Sequence, residues 1–104
     1  MESLSFIYQG GLRPNTRPDF AVSGVVGSGN LEIMVEPIEG DGCAIEITTA
    51  AMGFGKIWQA VMDDFFERHR PGGVRLSIND AGATPAIVSL RLDQAWEAFT
   101  RGQT

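Results

Sequence analysis

Apolar and polar residues alternate in several short stretches of the chain and recur every three or four residues in two longer ones. In residues 3–8, Leu4, Phe6 and Tyr8 share one face and Ser3 and Ser5 the other, which predicts a strand. Residues 20–26 are mostly apolar, and such a run predicts a strand in the middle of its sheet. In residues 31–37, Leu31, Ile33 and Val35 face inward while Glu32 and Glu36 face out. Cys43, Ile45 and Ile47 alternate with Ala44, Glu46 and Thr48, and Val74, Leu76 and Ile78 with Arg75, Ser77 and Asn79. These are a fourth and a fifth strand. Between them the period lengthens. Phe54, Ile57, Trp58, Val61, Met62, Phe65 and Phe66 form the apolar stripe of a helix, read as core, with Lys56, Gln59, Asp63, Asp64 and Glu67 on the solvated side. His69 and Arg70 place positive charge in its last turn, where the helix dipole favours it, and Pro71-Gly72-Gly73 ends it. Thr84 and Pro85 suit the cap and first position of a second helix, whose stripe is Val88, Leu92, Ala95, Trp96 and Phe99.

The order is β-β-β-β-α-β-α. It predicts an α+β fold: a two-layer sandwich with one mixed, mainly antiparallel sheet and two helices on one face, the other face left polar. The fourth and fifth strands, joined through a helix, are expected to be parallel. Counting chain reversals gives the ends of the sheet. The turn at 27–30, the segment 53–55 and the loop 80–84 fall at one end with the starts of both helices. The loop 37–42 falls at the other, together with Arg13 and Arg17 of the Gly- and Pro-containing segment 9–19.

Size and charge narrow the range of functions. The chain has 104 residues, enough for one domain with a single modest core over 1–104. Net charge is −5, and the basic residues are scattered, which argues against nucleic-acid or anionic-membrane partners. Cys43 is the only cysteine, so no internal disulfide forms, and no stretch has a signal-peptide or membrane-spanning pattern. A cytoplasmic location is expected.

Candidate chemistry concentrates at one turn. Gly27, Ser28, Gly29 and Asn30 lie between two strand-like runs, and Gly and Asn tolerate the backbone angles of a tight hairpin. Ser28 is the one reactive side chain there, with glycines on either side and no bulk to shield its hydroxyl. Serine is also a common turn residue, so both roles stay open on the residues alone. A nucleophile elbow needs glycine two residues on either side, where Val26 and Asn30 stand. One His and one Cys supply no metal site. The glycines at 24, 27 and 29 open no helix, so they are not a dinucleotide fingerprint. A triad of Ser28, His69 and Asp80 would borrow the only histidine from a helix end.

Residues 24–33 (Gly-Val-Val-Gly-Ser-Gly-Asn-Leu-Glu-Ile), Trp58-Gln59 and residues 79–85 (Asn-Asp-Ala-Gly-Ala-Thr-Pro) together resemble the acyl carrier subunit of biotin-independent malonate decarboxylase. The resemblance covers nearly the whole chain. Asn30 stands where that family often has Asp, and Ala81 where it often has a bulky aromatic. The resemblance implies a non-catalytic carrier bearing 2'-(5''-triphosphoribosyl)-3'-dephospho-CoA, attached covalently to Ser28 through a phosphodiester. The thiol of that group would hold acetyl, exchange it for malonyl on a transferase subunit, and regain acetyl when decarboxylase subunits remove CO2. Acyl transferase and decarboxylase subunits and a prosthetic-group transferase are the implied partners. Gly27, Gly29 and Asn30 flank the attachment point. Asn79, Asp80, Gly82 and Thr84 are second-rank site residues, expected to seat phosphates near the helix starts. Two other classes compete: a small protein-interaction module in which Ser28 only turns the chain, and a serine hydrolase.

Overall fold

The structure, a computed structural model, describes residues 1–12, 23–27 and 30–101, with residues 23–27 and 101 described by backbone alone. Among these residues five strands and two helices follow in the expected order: β1 (Glu2–Tyr8), β2 (Ser23–Gly27), β3 (Leu31–Pro37), β4 (Cys43–Thr49), α1 (Gly55–His69), β5 (Val74–Asp80) and α2 (Pro85–Arg101). They form one sheet in the order β1-β4-β5-β3-β2. β4 and β5 are parallel, joined through α1, and the other pairs are antiparallel. The inward residues of the strands, among them Ile33, Val35, Ile45, Leu76 and Ile78, form one apolar cluster with Met62 and Phe65 of α1 and Val88, Leu92 and Phe99 of α2. Trp58 and Trp96, 6% and 8% exposed, complete it from the two helices. The opposite face carries Ser5, Glu32, Glu46, Arg75, Ser77 and Asn79, with Arg75 paired to Glu36 at 2.8 Å. This is the α+β sandwich that the periodicities require.

Three details differ from the sequence expectation. β2 lies at the edge of the sheet rather than in its middle. An apolar run reports that a strand is covered, not that it has two neighbours, and α2 covers β2 as well as β3. The expected strand start, residues 20–22, lies outside the described residues, and Gly27 belongs to the strand, opposite Glu32. Second, Phe54 and Ile57 stand 46% and 45% exposed instead of joining the core. They belong to the start of α1, at the end of the sheet where β4 has stopped at Thr49. Third, the left-handed residue that closes α1 is Arg70, with φ 49°, ahead of the glycines. Its N–H donates to the Phe66 carbonyl at 2.7 Å, and its guanidinium lies 5.4 Å from the Phe66 ring centre. A cation–π contact of that kind offsets part of the cost of positive φ.

The glycine after it serves a close approach. A Cβ on Gly72 would stand 2.7 Å from the Gly11 carbonyl carbon and 2.8 Å from the Asp41 oxygen, too near for any side chain. Gly73 N–H donates to Gly42 at 2.8 Å and Leu12 N–H to Arg70 at 2.9 Å, so three loops close together at this end. The segment carrying Arg13 and Arg17 leaves from here, although both arginines lie outside the described residues.

Candidate functional site

The other end of the sheet is built around Asp80, a carboxylate only 7% exposed. Burying a charge there is costly unless hydrogen bonds replace water, and they do. Oδ2 accepts from the Thr49 hydroxyl at 2.8 Å, and Oδ1 accepts from the Ala83 N–H at 2.8 Å. The Asp80 carbonyl accepts from Ala50 N–H at 2.9 Å. Thr49, fully buried, accepts in turn from Ala51 N–H at 3.1 Å. One aspartate thus ties the exit of β4 to the loop after β5.

That loop holds the start of β3. Leu31 pairs with Asp80, and Ala81 N–H donates to the Asn30 carbonyl at 2.8 Å. Ser28 and Gly29 lie outside the described residues; Gly27 and Asn30, on either side, lie at this end. The sequence expectation that the turn, the 53–55 segment and the 80–84 loop share one end is met at every described position. Asn79, Asp80, Gly82 and Thr84 all arrive there, but not on one side. Asn79 is exposed on the open face, opposite Glu32, whereas Asp80 points beneath the helices. Gly82 has φ 115°, a conformation that side chains rarely adopt, and a Cβ there would meet open space. Thr84 caps α2 as expected, its Oγ1 accepting from Ile87 N–H at 3.3 Å. α1 differs: Phe54 occupies its cap position, and no side chain caps it. Neither helix has an acidic residue in its first turn.

Between the two helix starts runs a groove of about 280 Å³. Ala51, Phe54 and Ile57 line one side and Gly82, Ala83 and Pro85 the other, with Trp58 and Val88 deeper. Sequence reasoning assigned Phe54 and Ile57 to the core and gave Thr49 and Ala51 no role. The signal for a groove is faint: Phe54 directly after a loop glycine, Gly53, whose φ is 86°, and Ile57 three residues further on.

The remaining reactive groups lie elsewhere. His69, at the far end of α1, sits 2.9 Å from Asp93 of α2, and Arg68 contacts the same carboxylate oxygen at 2.8 Å. The imagined triad therefore has its histidine at the opposite end from Asp80. Cys43 is buried at the start of β4, and burial pushes its thiol up to about 12. Burial, then the hydrogen bond to Asp63, also raises Tyr8 above the usual tyrosine range. Among the described residues no helix is long and apolar enough to cross a membrane.

Comparison with known proteins gives a consistent result. The family described as malonate decarboxylase delta subunit matches residues 19–99. A malonate decarboxylase acyl carrier protein from Burkholderia cepacia is 54% identical over 99 residues, covering 91% of this chain and 87% of that one. One from Xanthomonas campestris pv. campestris (strain B100) is 57% identical over 96 residues, covering 91% of each. One from Stenotrophomonas maltophilia (strain R551-3) is 51% identical and covers 100% of this chain and 99% of its own. Among solved structures, a chain of a Pseudomonas malonate decarboxylase hetero-tetramer in complex with malonate superposes with a TM-score of 0.75. It is 36% identical, and the match covers 93% of this chain and 97% of that one.

Proposed function

The chain belongs to the malonate decarboxylase delta subunit family, and from that premise we propose that it is the acyl carrier subunit of such an enzyme, with Ser28 as its attachment point. It catalyses nothing itself. The group proposed on Ser28 derives from 2'-(5''-triphosphoribosyl)-3'-dephospho-CoA, whose α-phosphate would form a phosphodiester with the serine as diphosphate leaves, and the chemistry it supplies is a thiol that carries acetyl or malonyl as a thioester.

One observation carries the assignment of the site: Gly27 and Asn30, which flank Ser28, lie at the end of the sheet shared by the starts of both helices. A phosphodiester and a diphosphate bring negative charge, and helix starts present unpaired backbone N–H groups that favour it. The residues present fit such a group. α1 has no side-chain cap, and neither first turn holds an acid that would repel a phosphate. Among the described residues the buried carboxylate at this end, Asp80, has both oxygens occupied by Thr49 and Ala83, and the nearby Glu2 carboxylate accepts from Gly53 N–H at 3.2 Å. Gly82 adds a stretch of backbone that no side chain shields.

The roles divide accordingly. Gly27, Gly29 and Asn30 are the sequence neighbours that the prosthetic-group transferase would meet around Ser28, and the glycines add no side-chain bulk there. Thr84 caps α2, Asp80 holds the loop, Gly82 keeps its approach clear, and Asn79 offers an amide on the open face. Acyl transferase and decarboxylase subunits dock at this same end, because the thioester must be handed between them.

Intact-mass measurement on protein from a host that makes the prosthetic group tests the proposal. Wild type should carry the adduct and Ser28→Ala none, with stability changed by no more than about 0.5 kcal/mol. An adduct persisting on Ser28→Ala would sink the assignment.

A further inference from the structure

We infer that the groove between the starts of α1 and α2 is a resting seat for the uncharged, thiol-bearing end of the arm, which the carrier folds back against itself between transfers. The inference rests on the attachment of that arm to Ser28, and three features of the groove point to this occupant.

Position comes first. The groove's wall is the 80–83 loop, and the Ala81 N–H of that loop donates to the Asn30 carbonyl at 2.8 Å. Ser28 precedes Asn30 by two residues, at most about 7 Å of extended chain. A ligand tethered there meets the groove at an effective concentration in the millimolar range, so even a weak seat fills.

Chemistry comes second. Phe54, Ile57, Trp58, Ala83 and Val88 make the lining apolar, and the only carboxylate among its described residues, Asp80, already accepts at both oxygens. An anionic segment placed there would lose its hydration beside another negative charge. The distal part of the arm is a neutral chain with methyl groups, two amides and a thiol. Its apolar atoms suit the groove.

Size comes third. A volume of about 280 Å³ lies at the low end for small-molecule sites, room for a fragment rather than a whole dinucleotide-like group. The phosphates and ribose rings would stay outside, and the seated part is the thiol end, free or bearing the uncharged acetyl group. Exposed Phe54 and Ile57, otherwise unexplained apolar surface, become the rim that closes over it.

The test uses the complete modified carrier, with occupancy of Ser28 established by intact mass. In labelled protein, nuclear Overhauser contacts are expected between the arm's methyl groups and the Ile57 and Val88 methyls. The Trp58 indole N–H should shift relative to unmodified protein. Alkylation of the arm's thiol by a neutral reagent should be at least about threefold slower than in Ala51→Leu, where the groove is filled, or Ile57→Ser, where its rim is weakened. Ile57 is exposed, so that second variant keeps its fold if the first does not. An arm present by mass, yet without groove contacts and alkylated equally fast in all three proteins, overturns the inference and leaves the attachment standing. Loss of affinity for a transferase or decarboxylase subunit in both unmodified variants, with no arm contact in wild type, overturns it in favour of a partner side chain. Absence of any adduct on Ser28 overturns the attachment itself, and the seat with it.

Discussion

A carrier that works through one arm thiol, as proposed, must keep its own cysteine out of the way, and Cys43 is kept out by burial. It is 1% exposed, and desolvation of the thiolate pushes its pKa up to about 12. Titration with a thiol reagent at pH 8 should find no reactive group in folded unmodified protein, one in the folded modified carrier and one more on unfolding. Cys43 reacting at a free-thiol rate in folded protein would contradict this. The pH dependence has a definite sign. The folded thiol holds its proton longer than the unfolded one, whose pKa is 9.0, so its contribution is intact below about pH 9. It is lost as pH rises from there towards about 12, and Tyr8, raised by burial, adds to the same loss. Asp80 is the counterpart at the other end. Asp80→Ala leaves the Thr49 hydroxyl and the Ala83 N–H without their partner and should cost roughly 1–3 kcal/mol in urea unfolding. The sequence named Asp80 as a second-rank site residue near the helix starts, but not what it holds there. The role of Asp80 depends on a hydroxyl 31 positions away, which no local pattern reports.

At the scale of elements, periodicity served well wherever one face is buried and the other wet. β3, β4 and β5 alternate in that way, and their bounds in the structure fall within a residue of those expected. β2 was misplaced because its apolar run carries no face preference, so edge and centre read alike. The buried stripe of α1 was misread only at its first turn. A helical stripe shows which residues could be buried, and the length of the sheet beneath decides which are. Ile57 and Trp58 sit side by side on that stripe, 45% and 6% exposed. Denaturant unfolding should separate them sharply. Ile57→Ser is expected to change stability by no more than about 0.5 kcal/mol, whereas Trp58→Ala or Trp96→Ala should cost roughly 3–5 kcal/mol. Similar costs at positions 57 and 58 would mean that the start of α1 is covered after all.

The whole molecule has two unlike ends, and the difference between them is open to direct comparison. At one end Gly72 and Gly73 bring loops within backbone contact, and Asp93 joins α2 to Arg68 and His69 of α1. At the other, Asp80 holds the loops that surround the proposed arm. Aspartates thus tie elements together at both ends, but in different surroundings. The Arg68 and Asp93 side chains are 37% and 38% exposed, and ion pairs that wet are worth about 0–1 kcal/mol. Asp93→Ala should therefore lower stability by no more than about 1 kcal/mol and leave modification of Ser28 untouched. Asp80→Ala, by contrast, frees the Ala83 N–H and with it the loop that contacts Asn30, so it should slow modification as well as unfold more easily. Rates of adduct formation with a purified prosthetic-group transferase, taken well below the unfolding midpoint of each variant, make the comparison. Equal slowing by both substitutions would mean that modification follows global stability rather than the order of one end. Slowing by Asp80→Ala alone would tie modification to the order of the loops that Asp80 holds through Thr49 and Ala83.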